Sequence, residues 1–364
     1  MPTTIKEVAR KAGVSIATVS RVLNNVGSVD NRTRLSVQRA VRELHYVPNA
    51  GGRSLSRRKT EAIGLLLPDL FGEFFSEVLR GTDQTAQQHH YHMVVSSSHN
   101  SRDEIEAALR AMRGRVDGLI IMSPHIDART LHDNLPAGLP TVLLNCAVRG
   151  ADFDSLNVEN FEGARAMTRH LLGHGHRRIA FIRGAEYNLD AVERLRGFVQ
   201  ACTEAGLSPR DILDAPGDFS EGSGYAAARR LLQTEPPPTA IFAANDSMAI
   251  GALSALREMG LRVPGDVALA GFDDIPIAGY LTPALTSVRV HISDLGALAM
   301  RKVLRAIRDR GAYQRRQEVM KTALSIRASC GCAYAGNGRD DEATDTHDLD
   351  QLHGDNDSPR VSTA

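Results

Sequence analysis

A chain of 364 residues is longer than one hydrophobic core usually serves, so two or three domains are expected and a single small binding module is excluded. Its composition, 42% hydrophobic and 24% charged with no Trp, excludes a disordered, collagen-like or disulfide-rich chain. Forty-three basic residues balance forty-three acidic ones, yet residues 1–60 carry +9 and the remainder −9, which makes nucleic acid the expected partner of the N-terminal segment. No apolar run approaches 18 residues, and Lys6, Glu7, Arg10 and Lys11 interrupt the N-terminus where a secretory signal needs apolar sequence. A cytoplasmic protein with no membrane partner is expected. Cys146, Cys202, Cys330 and Cys332 are too few and too scattered for a disulfide framework, so reduced thiols are expected.

The first element opens at Thr4, where Glu7 three residues on completes a capping box. Ile5, Val8, Ala9 and Ala12 then recur at helical spacing, and Gly13 supplies a turn. Ser15 caps a second helix through Leu23 whose Val19, Val22 and Leu23 face inward, leaving Ile16, Ala17, Ser20 and Arg21 outward, toward a major groove. A third helix, roughly Thr33 to Leu44, brings Leu35, Val37, Ala40, Val41 and Leu44 to close a three-helix core. The spacing is that of a helix-turn-helix.

Between Asn49 and Lys59 the chain is polar and basic, with Leu55 its single large apolar residue. From Glu61 the texture changes to short apolar runs, each followed by an amphipathic stretch: Ala62–Leu67, Met93–Ser96, Gly118–Met122, Thr141–Leu144, Ile179–Ile182, Ala240–Ala243 and Val267–Gly271. That alternation predicts an α/β core of doubly wound parallel sheets. Ligands of such sheets sit beyond the carboxyl ends of the strands, where Pro68–Phe71, Ser96–Ser98, Ser123-Pro124, Asn145, Gly184, Ala244–Asp246 and Phe272–Asp274 fall. Hydrogen-bonding groups with a few aromatics suit a polar small molecule. From Gly336 onward eight acids face two Arg with almost nothing large and apolar, so residues 336–364 read as an acidic disordered tail.

The run from Thr4 through Ile5-Lys6-Glu7-Val8-Ala9-Arg10-Lys11-Ala12-Gly13-Val14-Ser15 to Tyr46-Val47-Pro48-Asn49 resembles the LacI/GalR (lactose-repressor) family of transcription regulators. The likeness continues through Leu171–Gly184, Asn245-Asp246 and Gly271–Asp274. It implies a repressor in which a helix-turn-helix headpiece (1–48) is joined by a hinge helix (49–60) to a two-lobed core resembling periplasmic sugar-binding proteins (61–335). Lobe 1 would take about 61–158 and 290–320, and lobe 2 about 159–289 and 321–335. The implied partners are double-stranded operator DNA, a second copy in a homodimer and a small-molecule effector between the lobes; no cofactor is implied.

For base readout the resemblance points to Ile16, Ala17 and Arg21. An Arg there makes a bidentate contact to guanine worth about 1–3 kcal/mol of discrimination, whereas Ile and Ala offer apolar contact to a thymine methyl. Thr4, Ser15, Thr18, Ser20, Asn24, Arg32, Tyr46 and Asn49 become phosphate-contact candidates, each with a cap or a solvated side chain as the plainer reading. Arg53 joins the DNA-binding set, and Leu55 becomes a minor-groove wedge. Gly51 and Gly52 depart from the family pattern of an aliphatic residue and Ala. At about 1 kcal/mol per Gly, they make the hinge helix harder to form, so ordering only on operator is expected.

For the effector, the resemblance gives Arg194 to clamp oxygens, Asp273 and Asn245 to bind hydroxyls and Phe219 to stack on an apolar face, with Asp69, Phe74, Ser123 and Asn145 from the first lobe. Against this stand an Arg194–Asp273 structural ion pair, Asp246 as a helix cap and Phe219 as core. Sugars and sugar acids come first as effectors, and purines or nucleosides are the alternative because Phe219 stacks on a base equally well. His89–His92 and Gly173–His176 lack companion ligands at metal spacing, and neither a phosphate loop nor a nucleophile elbow is present, so no metal and no catalysis are expected. A secreted sugar-binding protein shares the expected core but not a basic headpiece, and an α/β enzyme requires a nucleophile or base that the sequence does not offer.

Overall fold

The computed structural model describes residues 3–23, 27–46, 59–124, 126–146, 148, 153–309 and 312–331. Asn24, Asn49, Gly51, Gly52, Arg53, Leu55, nearly all of the expected hinge, Cys332 and the acidic tail lie outside the described residues.

The headpiece consists of α1 (Ile5–Ala12), α2 (Ile16–Leu23) and α3 (Asn31–Glu43). Glu7 Oε2 reaches back to accept from Thr4 N at 2.7 Å and Thr4 Oγ1 at 3.0 Å, which fixes the start of α1. Gly13, at φ +69, turns the chain into α2, where Ser15 Oγ accepts from Thr18 N at 3.1 Å. Val8, Val19 and Val37 meet in a fully buried core, and Lys11 Nζ bridges to Glu43 Oε2 at 2.7 Å to tie α1 to α3. Two expectations need correction. The third helix starts at Asn31, two residues before the expected Thr33, because Asp30 caps it and accepts from Thr33 N. Leu35 is 59% exposed instead of closing the core, since two residues carry it about 200° around the helix from buried Val37.

Two six-stranded sheets follow. The first contains β1 (Ala62–Leu67), β2 (His92–Ser97), β3 (Gly118–Met122), β4 (Thr141–Leu144), β5 (Asp154–Val158) and β11 (Gln317–Met320), in the order β2-β1-β3-β4-β5-β11 and parallel throughout. The second contains β6 (Ile179–Ile182), β7 (Ile212–Ala215), β8 (Ala240–Ala243), β9 (Ala268–Asp273), β10 (Thr286–Arg289) and β12 (Ala323–Ser325), in the equivalent order β7-β6-β8-β9-β10-β12 with only β12 antiparallel. Strands β3, β4, β6 and β8 are buried at every residue, as sheets covered on both faces require. Strand β9 runs two residues beyond the expected end because Arg289 of β10 still pairs with Asp273.

The chain passes between the sheets at 158–160, 289–292 and 320–323. Helix α11 (Ile292–Arg308) thereby returns to pack on α4 (Glu73–Gln88), while α7 (Asn160–Gly173) packs on α8 (Leu189–Glu204), and α9 (Glu221–Leu231) on α10 (Asp246–Glu258). The α9–α10 contact is seated on Gly224 and Gly251: a Cβ on Gly251 would lie 1.9 Å from Glu221 O. In the second core Phe181 stacks on Phe198 at 5.0 Å and meets Phe242 edge-on at 5.2 Å. Burial pushes the Cys146 and Cys202 thiols up to about 12, so they pack as small apolar groups.

Candidate effector site and nucleic-acid interface

A cavity of about 440 Å³ opens between the two sheets, at the carboxyl ends of their strands. Segments after β1, β3 and β4 wall it on one side, and segments after β6, β7, β8 and β9 on the other, where a doubly wound sheet leaves a crevice for ligand.

At its base Arg194 is 3% exposed and is held from three directions. Its Nε donates to Asn160 Oδ1 at 2.8 Å, its Nη1 donates to Ala244 O at 2.6 Å, and its guanidinium lies 3.7 Å from the Phe272 ring centroid. These bonds leave the Nη2 N–H groups unused. Nη1 also sits 3.0 Å from Asp273 Oδ1, the ion pair raised as the structural alternative. The guanidinium compensates the Asp273 charge and lowers the pKa that burial raises. Asp273 lines the cavity, so its carboxylate can offer an acceptor to a ligand hydroxyl.

Asp190 stands one helical turn before Arg194 on α8 and accepts from Asn160 Nδ2 at 2.8 Å. Asn160 therefore joins carboxylate and guanidinium with opposite ends of one amide. Burial raises the Asp190 pKa to about 6 against the pull of Arg194, Asn160 and Asn145. Burial likewise raises Asp273 to about 6, opposed by Arg194 and reinforced by Asp190. Asp190 and Asn160 are absent from the sequence-derived set, although the Asp190-to-Arg194 spacing of four was a usable signal.

Asp69, Phe74, Asn145, Arg194, Phe219, Asn245 and Asp273 all line the cavity, as expected. Ser123 does not. It is completely buried beneath the wall, and its neighbours Met122 and Pro124 reach the cavity instead, because alternate residues at the end of β3 face opposite sides. Asn245 lines the cavity with its amide already engaged: Oδ1 accepts from Met248 N and Nδ2 donates to Phe219 O. Asn245, not Asp246, is thus the cap of α10. Asp246 is fully buried, accepting from Ser287 Oγ and Ile275 N, and burial beside Asp273 and Asp274 drives its pKa well up.

Four non-glycine lining residues hold positive φ, Asn100 at +56, Asn145 at +45, Phe219 at +74 and Asp273 at +106. For a bulky residue such as Phe219 this is strained backbone, and strain of this kind collects where a ligand must be met. The ring is fixed there by Gly184, whose Cβ, if present, would lie 2.4 Å from Phe219 Cζ.

On the headpiece, Ile16, Ala17 and Arg21 are exposed along one side of α2, and Arg32 is exposed at the start of α3. Thr4, Ser15 and Thr18 are engaged at helix starts, Ser15 Oγ and Thr18 Oγ1 lying 2.9 Å apart. Ser20 is half-buried, and Tyr46 packs against the headpiece core.

Residues 168–330 match the periplasmic binding protein-like domain, and residues 4–49 match the bacterial regulatory proteins of the lacI family. The HTH-type transcriptional repressor PurR of Edwardsiella ictaluri is 38% identical over 306 residues, 83% of this chain and 89% of that one. The chain belongs to the lacI family. Its fold is that of the lac repressor dimer solved with operator and the anti-inducer ONPF, at 28% identity and TM-score 0.79 over 91% of this chain and 99% of that one. The CelR–cellobiose complex is similar at 33% identity and TM-score 0.67, over 90% and 99%. As a lacI-family member the chain is a DNA-binding transcriptional repressor that acts as a dimer on operator DNA under control of a small molecule, and its relatives are regulators rather than enzymes. No described helix is long and apolar enough to cross a membrane.

Proposed function

We propose that this repressor is cytoplasmic, non-catalytic and answers to a carbohydrate bound at Asp190, Arg194 and Asp273. The supporting observation is one cavity lined by the Asp190 and Asp273 carboxylates, a fixed guanidinium and the strained Phe219 ring: hydroxyl acceptors and an apolar platform are what a sugar ring needs. The CelR–cellobiose complex supports the same reading. Residues 1–48 read DNA through Ile16, Ala17 and Arg21, with Thr4, Ser15, Thr18, Ser20, Asn24, Arg32 and Tyr46 positioning the backbone; Asn49 and Arg53 of the hinge, 49–60, add backbone contacts and its Leu55 enters the minor groove. Residues 61–335 form the effector-binding and dimerisation core. Ligand between the lobes biases their relative orientation and so the spacing of the two headpieces.

A nucleobase is the second reading, favoured by the Phe219 ring face and by relatives named PurR at up to 38% identity. Gel shifts with the DNA upstream of the protein's own gene test the proposal. Affinity should fall about 10³- to 10⁵-fold between 50 and 200 mM salt if six to ten phosphates are neutralised. A cognate sugar should change operator affinity by about 5- to 150-fold. Equal binding to scrambled DNA, or a response to hypoxanthine and to no sugar, counts against it.

A further inference from the structure

We infer that the effector is an uncharged saccharide of at least two rings, with its inner ring at Asp190, Arg194 and Asp273 and its outer ring between Phe71 and Tyr187. The inference rests on the carbohydrate reading above and narrows it by charge and the chemistry of the cavity mouth.

Among the described lining residues, acidic side chains outnumber basic ones seven to one. The one base, Arg194, already faces Asp273 and is fixed by Asn160 Oδ1 and Ala244 O. A phosphate or carboxylate entering here meets one guanidinium, whose charge Asp273 already balances, and a wall of like charge, a repulsion that narrow, partly dry space strengthens. Sugar acids and sugar phosphates are therefore disfavoured. Several of the acids are themselves engaged as acceptors. Asp69 Oδ1 takes the backbone N–H groups of Leu70 and Phe71, Asp218 Oδ1 takes Ser220 N, and Glu73 Oε2 takes Ile277 N. What they add is an acceptor-rich rim suited to hydroxyl donors rather than a cage for one cation.

The mouth carries the decisive feature. Phe71 follows β1 on lobe 1 and Tyr187 follows β6 on lobe 2; both line the cavity, and they are 80% and 79% exposed. Phe74, Phe75 and Phe219, deeper in, are half-buried against the core. Two exposed rings lining a polar cavity, one from each lobe, offer apolar faces to a ligand that reaches beyond its base. A second pyranose ring, apolar on its faces and hydroxylated around its edge, covers them without burying an unpaired polar group.

Titration calorimetry on the full-length protein tests this with glucose, fructose and galactose, the disaccharides maltose, cellobiose, sucrose and lactose, and glucosamine, glucose 6-phosphate and hypoxanthine. At least one disaccharide should bind about tenfold or more tightly than its own component sugars. Phe71→Ala and Tyr187→Ala should each weaken that disaccharide about tenfold while leaving the component sugars within about twofold, and Phe71→Tyr should restore binding. Both side chains are exposed, so these variants keep the core intact. A monosaccharide that binds as tightly as every disaccharide, or unchanged disaccharide affinity in both Ala variants, overturns the inference and leaves the carbohydrate reading standing. Tighter binding of glucose 6-phosphate or glucosamine than of any neutral sugar overturns the uncharged assignment. Binding of hypoxanthine alone, or of none of these compounds, overturns both.

Discussion

Glu73 and Ile277 stand 204 positions apart in the chain and meet at the cavity, where Glu73 Oε2 accepts a 3.0 Å hydrogen bond from Ile277 N. Glu73 begins α4 on the first lobe, and Ile277 lies in the short turn between β9 and β10 on the second, so the bond links the lobes directly. It can form only when they are close. A solvent-facing hydrogen bond to a carboxylate contributes about 1–2 kcal/mol, so Glu73→Ala should shift the lobes toward the open arrangement and weaken effector binding about fivefold or more. The thermal midpoint without ligand should move little. Calorimetry of the variant showing unchanged affinity would remove the closure role.

The raised carboxyls at the cavity base set a pH dependence with a definite sign. Asp190 and Asp273 are each lifted from 3.8 to about 6, so between those values the folded state holds more protons than the unfolded one. Stability supplied by this pair is complete below about pH 4 and is lost as pH rises toward 6. At most about 3 kcal/mol is involved for one group, and the two titrate as a coupled unit around Arg194. The midpoint of the native protein minus that of Asp190→Asn should therefore fall across pH 4 to 6. Sugar affinity should rise over the same interval as the carboxylates ionise into hydroxyl acceptors. A flat difference curve would show that burial at Asp190 has no energetic consequence.

How legible each part was depended on which physical signal it rests on. Strands β1, β3, β4, β6 and β8 are continuous apolar runs and are readable at once, and cavity-lining residues follow from their carboxyl ends. Strand β5 (Asp-Ser-Leu-Asn-Val), β10 (Thr-Ser-Val-Arg) and β11 (Gln-Glu-Val-Met) carry polar residues because they lie toward the sheet edges or the crossovers, so an apolar-run criterion passes over them. Asp190 looked like an ordinary acid in the first turn of a helix. Only the fold, by bringing Asn160 from a crossover and Asn145 from the other lobe against it, makes it a perturbed site residue. Ser123 failed for the converse reason, since a one-residue step along β3 decides between cavity and core.

The second lobe depends on an approach that tolerates no side chain. A Cβ at Gly251 would sit 1.9 Å from Glu221 O and 2.8 Å from Tyr225 N, both backbone atoms that cannot swing aside. Gly251→Ala must push α9 away from α10, and overpacking of this kind costs about 1–3 kcal/mol or more. Denaturant unfolding should show the unfolding free energy falling by that amount, whereas Gly222→Ala on the same helix pair, with nothing near its Cβ, should be neutral or slightly stabilising. Equal behaviour of the two variants would contradict close packing at this contact.

Arg21 and Arg32 separate reading from gripping. Both are exposed, Arg21 on the outward face of α2 beside Ala17 and Arg32 at the start of α3. If Arg21 makes a bidentate contact to a guanine edge, Arg21→Ala should cost about 1–3 kcal/mol on the cognate operator and little on scrambled DNA, so the ratio between the two collapses. Arg32→Ala should instead weaken both DNAs by a similar factor and lower the salt dependence by about one unit of slope, since only a phosphate contact is lost. Neither side chain belongs to the headpiece core, where Val8, Val19 and Val37 hold the three helices together, so both variants should retain the wild-type helical signal. Gel shifts over a salt series with both DNAs give the two quantities in one experiment. Should Arg21→Ala lose affinity equally on cognate and scrambled duplexes, recognition must reside elsewhere on α2, with Ile16 and Ala17 the next positions to replace.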